Sequence, residues 1–154
     1  MMKRVLLRSV FEAFEYVMAH YAPVGLEEMA ERSDVYAVIS IQDTHTGGFG
    51  FTFNRTRFCT GALTLYVDDI EREVDGAVLF SDDHARQVID FIEAHRDAET
   101  LLVHCYAGQS RSRAVAAFAV KMLGGNNAPY LRGGVPNRHI YETLERVYAE
   151  RTGR

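Results

Sequence analysis

The sequence predicts an α/β fold: one domain over residues 1–154, built on a central, mostly parallel sheet of about four to five strands flanked by helices. Three observations carry this. Short apolar, β-branched runs alternate with segments of helical periodicity. The chain has 154 residues, of which 47% are hydrophobic and 25% charged, the size and balance of a single core. No repeat, low-complexity tract or Pro/Ser-rich linker divides it.

The elements follow in order. Arg4-Val5-Leu6-Leu7 reads as a short strand, and Ser9 is placed to cap a helix whose apolar positions Val10, Phe11, Phe14, Val17 and Met18 fall at helical spacing. Val35 to Ile41 is a buried strand ending in the polar pair Gln42-Asp43. Thr44 to Thr60, rich in Gly, Thr and aromatics, is expected to be an irregular loop or hairpin, with Phe49, Phe51 and Phe53 alternating as on a packed strand edge. Ala62 to Val67 forms the next strand and ends in Asp68-Asp69. Ser81 opens a helix with Ala85, Val88, Ile89 and Ile92 on one face and Asp82 and Asp83 in its first turn. Thr100 to Val103 is a strand leading directly into His104-Cys105. A helix from about Arg111 to Leu123 stops at Gly124-Gly125. A loop holding Pro129, Gly133 and Gly134 precedes a last amphipathic helix, from near Pro136-Asn137 to about Arg151.

Composition excludes several functions. Only Cys59 and Cys105 are cysteines, without CxxC or zinc spacing, which suits a reducing, cytoplasmic compartment. No apolar run approaches the ~20 residues that span a bilayer, and Arg8 and Glu12 interrupt the N-terminal run that a signal peptide would need. A net charge of −4 and a pI near 5.8 argue against a nucleic-acid partner.

The chemistry concentrates at Cys105. In a parallel sheet, ligands bind beyond the carboxyl ends of the strands, and Cys105 sits at such an end, before a helix. A thiolate attacking a phosphate dianion needs its repulsion offset and the phosphorus held in line. The backbone N–H groups of Tyr106, Ala107, Gly108, Gln109, Ser110 and Arg111 can face the phosphate oxygens, and the dipole of the following helix adds positive potential. Gly108 permits the bend. Arg111 supplies a planar fork for two equatorial oxygens, and such surroundings favour thiolate over thiol. Ser112 can donate to the Cys105 sulfur and ease its departure. His104 is expected to support the loop through backbone hydrogen bonds, without moving protons. The bland alternative is an inert, buried cysteine.

His-Cys-x5-Arg-Ser, with Ala107, Gly108 and Ser110 inside it, resembles the active-site loop of the cysteine-based protein tyrosine phosphatases. Its AGxSRS form is most similar to the compact dual-specificity branch and its bacterial relatives, as is Pro136-Asn137 at the last helix. The resemblance implies a dual-specificity-phosphatase-like fold, a phosphocysteine intermediate, and catalysis with no cofactor and no metal. It also implies a proton donor on the loop after the preceding strand. There it points to Asp69, with Asp68 as the alternative and Asp75 as a third candidate.

Other residues read more plainly. Cys59 is either a buried residue or a resolving thiol for oxidised Cys105. His45 lacks ligand spacing. Arg132 and Arg138 either rim the pocket or are solvated charges. The expected function is hydrolysis of phosphotyrosine in proteins, with phosphoserine and phosphothreonine as a wider, dual specificity. The expected partner is a phosphorylated protein or a small phosphomonoester, and neither nucleic acid nor membrane. The alternatives are a phosphatase of a non-protein ester, or a sulfurtransferase or arsenate-reductase-like enzyme that also holds anions at a cysteine loop.

Overall fold

The computed structural model describes residues 2–22, 25, 32–44, 48–49 and 52–153. Four strands, β1 (Arg4–Arg8), β2 (Tyr36–Gln42), β3 (Cys59–Tyr66) and β4 (Thr100–His104), form one sheet in the order β1-β4-β2-β3, every pairing parallel. Around it lie α1 (Val10–Tyr21), α2 (Asp82–Ala94), α3 (Arg111–Met122), the short α4 (Ala128–Arg132) and α5 (Arg138–Thr152). The expected α/β class and parallel sheet are present. β3 begins three residues earlier than the sequence suggests, and α4 occupies what reads as a loop.

The central strands explain the continuous apolar runs. Every residue of β2 and β4 is buried, as strands covered on both faces must be. The period of two then sorts their side chains. Ala37, Ile39, Ile41, Leu101 and Val103 face the core formed with α2, α3 and α5. Tyr36, Val38 and Leu102 face the smaller core shared with α1, Phe53 and Phe58. Ion pairs of Arg146 with Asp82 and of Arg151 with Asp90 lace α5 to α2, and Lys121 reaches Glu145 at 2.8 Å across α3 and α5.

Phe53 lies in an irregular segment and packs its ring against His104 at 5.5 Å, so it belongs to no strand edge; Phe49 likewise approaches His104 at 6.1 Å. Phe51 and His45 lie outside the described residues. Cys59 cannot reach Cys105. Cys59 and Thr100 both align with Tyr36, and Cys105 lies beyond Thr100 on β4, ~16 Å further along the sheet at ~3.3 Å per residue. A disulfide needs Cα atoms within about 7 Å. Among the described residues, no helix is long and apolar enough to cross a membrane.

The first helix turns differently from its expected apolar face. Ser9 caps it in a capping box with Glu12, which fixes its start. Val10, Ala13 and Tyr21 are its buried residues, whereas Phe11 and Phe14 are exposed. The segment carries two apolar stripes, and periodicity alone does not say which one meets the sheet. Ala13→Gln should therefore lower unfolding free energy by at least ~2 kcal/mol, and Phe11→Ser should change it by no more than ~0.5 kcal/mol. Urea titrations of the two variants check the orientation of α1.

Candidate active site

The site forms where three parallel strands end together. β4 passes into Cys105, and the chain turns through Tyr106 to Ser110 before entering α3 at Arg111. Gly108 takes φ +74°, and a Cβ there would stand 3.0 Å from the backbone C and O of Arg8, so the turn admits only glycine without strain. The Cys105 sulfur is nearly buried and lies 3.0 Å from Ser112 Oγ; the Gly108 N–H donates to it at 3.4 Å. The thiol thus lies at the start of a twelve-residue helix, within reach of the Gly108 amide and the Ser112 hydroxyl.

Arg111, the first residue of α3, is buried. Its Nη1 donates to Val67 O at 2.9 Å and pairs with Asp43 Oδ1 at 2.7 Å. Its Nε is buried without a hydrogen-bond partner among the described residues. One end of the guanidinium is therefore tied to the ends of β2 and β3, and the Nε edge carries an unmet donor. Asp43 was legible only as the polar end of a strand; its pairing with Arg111 requires β2 to lie beside β4.

His104 Nδ1 lies 3.0 Å from Cys105 O and Nε2 lies 2.7 Å from Ser40 Oγ. A carbonyl can only accept, so Nδ1 carries a proton. Burial, with the nearby Arg111 charge, pushes the ring toward its neutral form, although the bond to Cys105 pulls the other way. In the neutral ring Nε2 accepts from the Ser40 hydroxyl, which in turn accepts from Gln42 Nε2 at 3.1 Å. Gln42 Oε1 takes the Phe49 N–H at 2.9 Å. This chain of bonds joins the loop after β2 to the Cys105 loop, and nothing in the spacing of Ser40, Gln42 and His104 announces it.

The two adjacent carboxylates occupy different surroundings. Asp68 is buried; Thr44 Oγ1 donates to both its oxygens at 2.7 and 2.8 Å, and the Val78 N–H reaches Oδ2 at 2.7 Å. It closes its own loop. Asp69 is exposed and turned toward the Cys105 loop, where Ser110 Oγ donates to its Oδ1 at 2.7 Å. Asn137 Nδ2 reaches the same oxygen at 2.9 Å and also Ile70 O at 3.0 Å. Ser110 is the N-cap residue of α3 but makes no side-chain cap; its hydroxyl points to Asp69 instead. Asn137 does two tasks, since its Oδ1 also caps α5 at the Ile140 N–H. Its place before a helix was readable; its reach to Asp69 was not.

Asp75 lies exposed on the same loop. Arg138 is an exposed charge paired with Glu142. Arg132, also exposed, ends α4. Among the described residues no three of His, Cys, Asp and Glu converge as a metal-binding group.

The buried histidine makes stability depend on pH. His104 and His84 both sit below the usual imidazole value of 6.5, in each case first through burial. The folded chain then binds fewer protons than the unfolded one, so their contribution is complete above pH ~6.5 and is lost as pH falls through the folded values. Asp34, held at about 2 chiefly by Arg32, and Glu93, lowered by Arg96, act only at more acid pH. Urea midpoints should fall between pH 7.5 and 5, and His104→Asn should flatten that slope more than any other single His replacement. An unchanged slope would mean that His104 titrates alike in both states.

No family model matches the chain, and no curated protein sequence does either. Solved structures do. DUSP15 superposes with a TM-score of 0.59 at 20% identity, covering 95% of this chain and 84% of its own. Tk-PTP in its active form gives 0.55 at 17%, covering 94% and 90%. PTPMT1 in complex with PI(5)P gives 0.52 at 16%, covering 97% and 92%. With Cys105 at the end of β4 and Arg111 opening α3, the chain has the fold of the dual-specificity and protein tyrosine phosphatases.

Proposed function

We propose that this chain hydrolyses phosphomonoesters, with phosphotyrosine in proteins as its substrate, through a phosphocysteine on Cys105. The observation that carries the reading is the joint placement of a buried sulfur, hydrogen-bonded to Ser112, and a buried guanidinium with one end fixed and its Nε donor unmet. Tying Nη1 to Val67 and Asp43 presents the Nε–Nη2 edge, the side-on face that grips two phosphoryl oxygens.

The reaction runs in two steps. The Cys105 thiolate attacks phosphorus, and the bond to the ester oxygen breaks. Asp69 gives its proton to that oxygen. Its Oδ1 is held by Ser110 and Asn137, and its Oδ2, without a hydrogen bond among the described residues, is the oxygen that carries the proton. Water then attacks the phosphocysteine, Asp69 takes its proton, and the sulfur leaves as a thiolate supported by the Ser112 hydroxyl. Asp68 is the weaker candidate for the acid, because it is buried and both its oxygens already accept hydrogen bonds, from Thr44 after β2 and from the Val78 N–H. A sulfur-transfer reading leaves Asp69 without a task; thiosulfate with cyanide is the assay that separates it. A phosphate ester other than a phosphoprotein is tested by a turnover screen of phosphotyrosine and phosphoserine peptides, inositol phosphates and a small aryl phosphate.

Cys105→Ser should abolish turnover while inorganic phosphate still binds, because Arg111 and the loop amides remain; more than a few per cent residual activity would sink the covalent step. Arg111→Lys should be nearly as damaging as Arg111→Ala, since an ammonium lacks the planar fork. Recovery of most of the rate by Lys would show that charge alone suffices.

Asp69→Asn should lower kcat on phosphotyrosine by about 10²–10⁴-fold, the usual worth of a positioned acid. It should also flatten the basic limb of the kcat profile, with a smaller loss on an activated aryl phosphate. Asp68→Asn should act mainly on stability. The reverse pattern would assign the acid to Asp68.

A further inference from the structure

Phe11, Phe14 and Tyr106 are 66%, 47% and 54% exposed, among the most exposed large apolar side chains of the described residues. They are not scattered. The Val10 N–H donates to Tyr106 O at 3.0 Å, which ties the first turn of α1 to the residue after Cys105. The Phe11 and Tyr106 rings meet edge to face at 6.3 Å, and the Phe49 ring lies 5.9 Å from that of Tyr106. Phe14 stands one turn after Phe11 on the same stripe of α1, the stripe turned away from the core. A contiguous, partly exposed aromatic patch marks a surface for a partner, whereas single exposed apolar residues do not.

We infer that Phe11, Phe14 and Tyr106 form an aromatic shelf that receives an apolar side chain flanking the phosphorylated residue of a peptide. The inference rests on the phosphotyrosine reading above and adds sequence selectivity to it. Continuity with the Cys105 loop names the occupant: whatever carries the phosphate lies within a residue or two of the shelf. Charge favours a peptide over a lipid surface. After Asp69, its loop carries Glu71, Glu73 and Asp75 against the single cation Arg72, and the chain carries a net charge of −4. An anionic bilayer would be repelled by that loop, and a peptide with apolar or basic neighbours would not.

The test compares phosphotyrosine peptides that differ only in having Leu or Phe, or else Ser, at the two positions on either side of the phosphotyrosine. The proteins are the full chain and its Phe11→Ser and Phe14→Ser variants, with para-nitrophenyl phosphate as the small substrate. The wild type should favour the apolar peptides by about tenfold in kcat/KM, the scale of one apolar contact in a recognition site. Each variant should lose most of that preference and keep its rate on para-nitrophenyl phosphate. Equal rates on all peptides in the wild type, or a preference that survives both variants, would overturn the shelf and leave the phosphatase reading intact. No turnover of any phosphotyrosine peptide would instead remove the reading beneath it. Binding of the wild type to phosphatidylcholine–phosphatidylserine vesicles, lost in Phe11→Ser, would assign the patch to a membrane and overturn the peptide.

Discussion

Arg111 is buried at the carboxyl edge of the sheet, and burying a guanidinium without partners is prohibitive. Much of the local architecture answers that demand. The end of β2 contributes Asp43, the end of β3 contributes the Val67 carbonyl, and the end of β4 leads through one tight turn to Arg111 itself. The order β4-β2-β3, all parallel, brings these three ends together. An antiparallel neighbour would put the wrong end of a strand there. Gly108 matters for the same reason: only a turn that packs against the Arg8 backbone returns the chain in time to begin α3 at this arginine.

Around Arg111, local preferences give way to the site. Ser110 would ordinarily cap α3, a contribution of about 1 kcal/mol, yet its hydroxyl reaches Asp69. Asp69 is held by residues from two different segments, Ser110 and Asn137, and Asn137 is itself fixed as the cap of α5. Its neighbour Asp68 is fastened inward by Thr44 and Val78, which stiffens the loop from which Asp69 projects. Adjacent residues thus divide the work, one serving the fold and the other facing the cysteine. Departures from local rules gather where function is concentrated, and Ser110 is such a departure.

What could be read from the sequence was local. The strand–turn–helix around Cys105 was legible because one short segment contains the apolar run, the glycine and the helix start. Ser81 and Asn137 were legible as boundaries because capping is a matter of a few residues. Asp43 and Ser40 were not, since their partners Arg111 and His104 lie more than sixty residues away; Gln42 acquires its role only by bonding Ser40 and the Phe49 N–H. The face that α1 buries was hidden for another reason: Val10, Ala13 and Tyr21 compete with Phe11 and Phe14, and aromatic bulk suggests the wrong winner. Ala13 prevails because close approach to the sheet favours the smaller side chain.

The charge balance of the site ties these points together. His104 lies beside Arg111, and two buried cations there would repel; burial and the arginine both hold the imidazole neutral. Arg111 is then a buried cation beside a neutral ring, and Asp43 offsets part of its charge. The loop interior from Tyr106 to Ser110 contains no basic side chain. The groups that meet the sulfur are oriented ones: the Gly108 amide, the Ser112 hydroxyl and the first turn of α3. Dipoles of this kind are fixed by the backbone and need not reorganise as charge moves, which is the condition for stabilising a transition state more than a ground state. A loop that works through its backbone places few demands on its side chains. Tyr106 can therefore project half-exposed onto Phe11, one residue from the nucleophile, without disturbing the groups that act on the sulfur.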